Sequence, residues 1–263
     1  MIPKIIHYCW FGGNPLPELA QKCIASWKKY LPDYEIWQWV ENVDGNVNDN
    51  RNEFCDKVME FDVNMIPYTA EAYRQKKYAF VSDYARFWIL YKYGGVYFDT
   101  DVEVIRPMDD IIANGNFMGV ESDYCKEGDF VTVAPGLGLG VTPNHEVIKK
   151  MMDYYKGLEF VFNPDGKDQM TIVYVATDVL RRLGLKDMAG IQRVEDVYIY
   201  PSEYFCPINI TTKRLHITPN TCTIHHYAAT WMDKKFSLKN FVKKYMPEDL
   251  IVLVSEMKRK IKK

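Results

Sequence analysis

Asp99-Thr100-Asp101 places two carboxylates at the end of a short apolar stretch, Val96-Tyr97-Phe98. Where a chain turns at a strand end, both carboxylates can reach one cation. Oxygen ligands of this kind suit Mg²⁺ or Mn²⁺, held by few protein groups and by several phosphate or water oxygens. Asp83 and Arg86 lie three residues apart, so on a helix they share a face. A guanidinium is a planar fork of donors suited to phosphate or to sugar hydroxyls, although an i,i+3 ion pair is the plain alternative. His225 and His226 are adjacent in a β-like stretch, so their rings alternate faces and only one can point into a given cleft. An imidazole ligand favours Mn²⁺ over Ca²⁺.

These residues must be positioned by the elements around them. Phe80, Tyr84, Phe87 and Tyr91 recur at helical spacing, and Gly94 stops that helix. Asp83 and Arg86 therefore sit on a helix that leads through Gly94-Gly95 into the strand before Asp99. Lys4 to Trp10 reads as a first strand, closed by Gly12-Gly13. Leu19, Cys23, Trp27 and Tyr30 mark a buried stripe on helix 17–30, and Tyr34 to Val40 reads as a second strand. Strand, helix, strand is a βαβ unit, and the predicted fold class is α/β. In open α/β sheets, ligands bind beyond the carboxyl ends of strands, where the D-x-D lies. Residues 41–52, rich in Asn, Asp and Gly, predict a loop. Further on, helices are expected at 144–156 and 168–183, and strands at 197–200 and 221–227. Gly136, Gly138 and Gly140 alternate and can line an acceptor cleft, since glycine permits close backbone approach.

Composition narrows the class. The chain has 263 residues, 48% apolar and 26% charged, which is globular and excludes a disordered chain. Its net charge of −2 argues against a nucleic-acid binder that works by bulk charge. The six cysteines are scattered with no C-x-x-C pair, and no apolar run approaches the ~20 residues of a membrane span. The amino terminus lacks the pattern of a signal peptide. Free thiols and a cytoplasmic location are the expectation, with possible contact at the inner face of the membrane. That contact would come from residues 234–263, which carry ten Lys/Arg against three Asp/Glu. This basic helical tail follows a domain of residues 1–233 and can lie on anionic lipid.

The segment SDYARFWILYKYGGVYFDTD resembles the signature of D-x-D glycosyltransferases that use nucleotide sugars. It is similar to family 32, which holds the yeast Och1-like mannosyltransferases and bacterial capsular-polysaccharide transferases. The opening IPKIIHYCWFGG and the later IHHYAATW resemble further motifs of that family, while residues 110–220 match poorly. The resemblance implies a GT-A fold, a single Rossmann-like domain with a mostly parallel sheet and flanking helices. It implies that Asp83 and Arg86 contact the donor sugar, and that Asp99 contacts ribose or sugar and helps bind the metal. Asp101 is then the main metal ligand, Trp10 stacks on the base, and Trp231 donates its indole N–H toward the phosphate. Spacing back from Trp231 favours His226 as the further ligand, with His225 fitting some members.

The expected function is a metal-dependent retaining glycosyltransferase. It moves a hexose from a nucleoside diphosphate sugar, UDP- before GDP-, to a saccharide or lipid-linked acceptor in surface-polysaccharide synthesis. The expected cofactor is Mn²⁺ or Mg²⁺. Two other classes use the same residues. A metal-dependent phosphohydrolase needs more acid ligands for a second metal. A non-catalytic sugar-binding module has no need of the D-x-D and the histidines.

Overall fold

The computed structural model describes residues 1–228 except 44, 48–50, 124, 164–168, 210, 211 and 213. Trp231 and the basic tail 234–263 lie outside the described residues. In chain order the first elements are β1 (Ile5–Cys9), α1 (Glu18–Tyr30), β2 (Glu35–Val43), β3 (Asn46–Val47), β4 (Lys57–Asp62), α2 (Pro67–Arg74) and α3 (Tyr78–Tyr93). The central ones are β5 (Gly95–Tyr97), β6 (Val102–Val104), α4 (Asp109–Ala113), β7 (Asn116–Ser122), β8 (Thr132–Val133) and β9 (Leu139–Val141). They are followed by α5 (Glu146–Tyr155), α6 (Ile172–Arg182), β10 (Gln192–Val194), β11 (Val197–Tyr200), α7 (Ser202–Phe205) and β12 (Thr223–His225).

One sheet runs in the order β10-β11-β7-β9-β5-β1-β2-β3, with β4 also on β2 and β8 on β7. The run β4-β2-β1-β5 is parallel, as is the pair β7-β11. β9 lies antiparallel between β5 and β7. β6 and β12 form a separate antiparallel pair. The molecule is thus α/β, one domain built on a large sheet with flanking helices. Both sheet faces are covered, so β1 is buried on both sides rather than alternating. Ile6 and Tyr8 join a core with Trp27 of α1, and Cys9 joins another with Phe87 of α3. Among the described residues, no helix is long and apolar enough to cross a membrane. All six cysteines are free, and only Cys125 is exposed.

Residues 41–52 differ from the loop expected of them, because β2 continues to Val43. Glu41 and Asn42 pair with Phe61 and Asp62 of the parallel β4, and ladder partners override a loop-like composition. The helix-to-strand junction follows expectation. Gly94 N–H closes α3 on Leu90 O at 2.8 Å, and Gly94 and Gly95 take φ of +64° and +101°. A Cβ on Gly95 would stand 2.6 Å from Ile5 O, so glycine lets β5 leave the helix directly alongside β1.

His7 on β1 holds this junction from below. It is fully buried, its Nε2 donates to Gly94 O at 2.9 Å, and its Nδ1 accepts from Trp39 Nε1 at 3.1 Å. Both ring nitrogens are used by the neutral form, and burial pushes the ring down to about 3 despite the Gly94 carbonyl. The unfolded chain takes up this proton below about 6.5. The stabilisation is therefore complete above about pH 6.5 and is lost as pH falls toward 3, on the order of 5 kcal/mol over that window. Denaturant titrations at neutral and acid pH should show a smaller acid loss in His7→Gln than in wild type. Equal losses in both proteins would remove His7 from the acid-sensitive set.

Candidate active site

The strand β5 ends at Tyr97, and the chain then turns: Val102 N–H returns to Asp99 O at 3.0 Å. The register His7–Tyr97 between parallel β1 and β5 puts Trp10 and residues 99–101 at the same, carboxyl edge of the sheet. The α3 helix reaches this edge because Phe80, Tyr84 and Phe87 anchor it in the core. Its buried face also carries Asp83 and Arg86.

Arg86 is the centre of the first cluster. Its side chain is only 3% exposed, and its Nη2 donates to Asp83 Oδ1 at 3.1 Å. Its Nη1 lies 3.1 Å from Asp99 Oδ1, its Nε donates to Ser82 O at 3.0 Å, and it sits 4.7 Å from the Tyr97 ring centroid. One cation faces two carboxylates. Burial pushes the Asp83 carboxyl up to about 7, with Arg86 opposing and Asp99 reinforcing the shift. Burial alone would lower the Arg86 guanidinium, but the charges of Asp99, Tyr97 and Asp83 carry it the other way and it stays cationic. Asp99 is 32% exposed at its side chain, so it is the member of this trio open to a ligand.

Asp101 builds the second cluster. Its Oδ1 lies 3.3 Å from His225 Nε2, and its Oδ2 accepts from Ala228 N–H at 2.8 Å. Its carbonyl accepts from His226 N–H at 3.0 Å. The pairing of His225 with Val102 across β12 and β6 delivers the histidine to this place. Burial alone would raise the Asp101 carboxyl, but His225 and the Ala228 N–H hold it below its ordinary value. Burial alone would lower His225, and the bond to Asp101, with Cys206 and Asp99 adding, pushes it up to about 10.

The two adjacent histidines part company here. His226 Nε2 bonds Glu103 Oε2 at 2.8 Å, and Glu103 also takes Lys22 at 3.2 Å. It is His225, not His226, that stands beside Asp101. Trp10 is half-buried at the rim, with its Nε1 donating to Asn14 O at 2.6 Å. Gly138 and Gly140 pack beneath the rings of Phe205 and Phe117, and Gly136 touches Asp99 rather than an open cleft.

Three contributors escaped the sequence reading. Tyr97 supplies the ring against Arg86, although the sequence marked it only as part of the strand before Asp99. Ala228 contributes a backbone N–H, for which no side-chain signal exists. Tyr227 packs its ring at a tilt against His225, with ring centroids 4.2 Å apart, and bonds Cys206 Sγ at 2.8 Å, with a left-handed φ of +52°. That φ turns the chain so that Ala228 N–H meets Asp101.

The donor set fits a divalent cation. Asp101 and His225 converge, one oxygen and one nitrogen donor, with Asp101 Oδ1 and His225 Nε2 3.3 Å apart. A cation would be held by Asp101 and by His225 after loss of its proton. Among the described residues no group of three or more His, Cys, Asp or Glu is set to hold a metal. Asp99 also faces Arg86, and His226 bonds Glu103.

Residues 17–118 match the family described as "Glycosyltransferase sugar-binding region containing DXD motif". Inositol phosphoceramide mannosyltransferase 1 of Schizosaccharomyces pombe is 31% identical over 117 residues, covering 44% of this chain and 33% of that protein. An uncharacterized glycosyltransferase of Acanthamoeba polyphaga mimivirus is 26% identical over 236 residues, covering 88% of this chain and 82% of that protein. The galactosyltransferase LgtC, solved with donor and acceptor sugar analogs, is 17% identical with a TM-score of 0.49, covering 93% of this chain and 98% of that one. The chain spans about a third of the length of the curated mannosyltransferase it matches. Through residues 17–118 it is similar to the glycosyltransferases that carry a DXD-containing sugar-binding region.

Proposed function

We propose that the protein is a GT-A glycosyltransferase that moves a hexose from a nucleoside diphosphate sugar to a saccharide or lipid-linked oligosaccharide, as in surface-polysaccharide synthesis. The observation that carries this reading is that Asp99, held in the Asp83–Arg86–Asp99 trio, and Asp101, paired with His225 from β12, stand two residues apart in one turn after β5. Breaking a sugar–phosphate bond leaves charge on the diphosphate and positive character on the sugar ring. A divalent cation, Mn²⁺ before Mg²⁺ given an imidazole ligand, supplies neutralisation of the diphosphate when bound. The chain's own groups do the rest. Asp99 accepts hydrogen bonds from the sugar hydroxyls, and its carboxylate favours the electron-poor ring. Arg86 fixes both carboxylates in place. Trp10 stacks on the base and Trp231 donates to the phosphate, roles that rest on the family resemblance.

Each carboxylate at the centre is already engaged, Asp83 and Asp99 by Arg86, and Asp101 by His225 and Ala228 N–H. This favours front-face attack of the acceptor, with retention of configuration and no protein nucleophile.

The test is a screen of UDP- and GDP-sugars, with and without Mn²⁺, read as thermal stabilisation and as release of nucleoside diphosphate. Binding to the native state raises apparent stability by about 2.7 kcal/mol at a hundredfold excess over Kd. Stabilisation by a nucleotide sugar that depends on the cation is expected. No response to any of them would end the reading.

A further inference from the structure

We infer that Gly136 is a positioning residue for the donor-sugar carboxylate Asp99, acting through the absence of a side chain. The inference rests on the reading of Asp99 as a donor contact, but its geometric part stands apart from that reading. Gly136 lies 37 residues beyond Asp99, is buried, and follows Ala134-Pro135 in a turn closed by Leu137 N–H on Ala134 O at 3.2 Å. Its carbonyl accepts the Asp99 N–H at 2.9 Å, so the two backbones are fixed against each other. A Cβ built on Gly136 would overlap Asp99 Oδ2 and stand 2.9 Å from Arg86 Nη1.

The usual reason for glycine after proline in a turn is a left-handed φ. That reason is absent here, since Gly136 is not among the glycines of positive φ, whereas Gly138 is, at +157°. The backbone therefore accepts alanine, and the obstacle is the far end of one side chain. An added methyl group forces the Asp99 carboxylate away from Arg86 and leaves the ladder of β5 and β9 intact. Glycine at this position allows the Asp99–Arg86 contact of 3.1 Å to form.

The experiment is a double-mutant cycle of Gly136→Ala with Asp99→Ala, accompanied by the crystal structure of Gly136→Ala. Gly157→Ala serves as the control, because nothing lies within 4 Å of a Cβ there. In Gly136→Ala the Asp99 carboxylate is expected beyond the reach of an ion pair, about 4 Å, from Arg86. Nucleotide-sugar binding is expected to weaken about tenfold or more, with circular dichroism unchanged. In the Asp99→Ala background the same change is expected to cost less than about twofold, since independent sites would add. Asp99 still paired with Arg86 in the variant, or equal losses in both backgrounds, overturns the inference. If wild type binds no nucleotide sugar, the proposed function fails, and the crystal structure alone still decides whether Gly136 places Asp99.

Discussion

Asp101→Ala is expected to lower metal-stimulated release of nucleoside diphosphate by about 10²–10³-fold, the scale on which removing one group that stabilises developing charge acts. Asp101 pairs with His225 through one oxygen, and its other oxygen faces Ala228 N–H. Its loss removes the oxygen donor and also the bond that holds His225 in position. Asp101→Asn separates the two effects, because an amide oxygen still accepts from Ala228 N–H while the charge is gone. Calorimetric titration with Mn²⁺ reads the metal directly, and both variants are expected to lose most of the heat seen with wild type. The histidines give a sharper contrast. His225→Ala is expected to behave like Asp101→Ala, whereas His226→Ala, which breaks only the Glu103 contact, is expected to change Mn²⁺ affinity a few-fold at most. The opposite order would move the metal site to the far side of β12.

The second large effect is on stability. Arg86→Met is expected to destabilise the fold by about 3–5 kcal/mol, because removing one partner of a buried ion pair strands the other. Two carboxylates are stranded here, and Asp83 is the more deeply buried of them. For a chain of this size the melting temperature should fall by roughly 6–20 °C. Adding Asp83→Asn to Arg86→Met should restore part of that loss, since it neutralises the buried group left unpaired. A melting temperature for Arg86→Met within a degree of wild type would show that the trio is hydrated and open rather than buried.

The parts of this site that depend on local sequence were readable. The α3 stripe, its glycine stop and the strand before Asp99 are fixed by neighbours within a few residues, so Asp83, Arg86 and the D-x-D could be placed on one connected segment. The choice between His225 and His226 was not readable. Both are in the same β-like stretch, and the register of β12 on β6, 120 residues earlier in the chain, decides which ring meets Asp101. Gly136 was visible as one of three alternating glycines, but its partner is the side chain of Asp99 in a distant turn, and periodicity contains no term for that contact. Residues 41–43 show the same limit, since a parallel ladder with β4 made strand out of a segment whose composition favours turns.

The central claim is that the carboxyl edge of β5 receives a diphosphate and its cation at Asp101 and His225. Diffraction from crystals grown with UDP and Mn²⁺, collected at a wavelength where manganese scatters anomalously, tests it most directly. The expected result is one strong anomalous peak in contact with Asp101 and His225, with diphosphate density on it and the base against Trp10. A manganese peak bound elsewhere, with the Asp101–His225 contact still closed, would contradict the account.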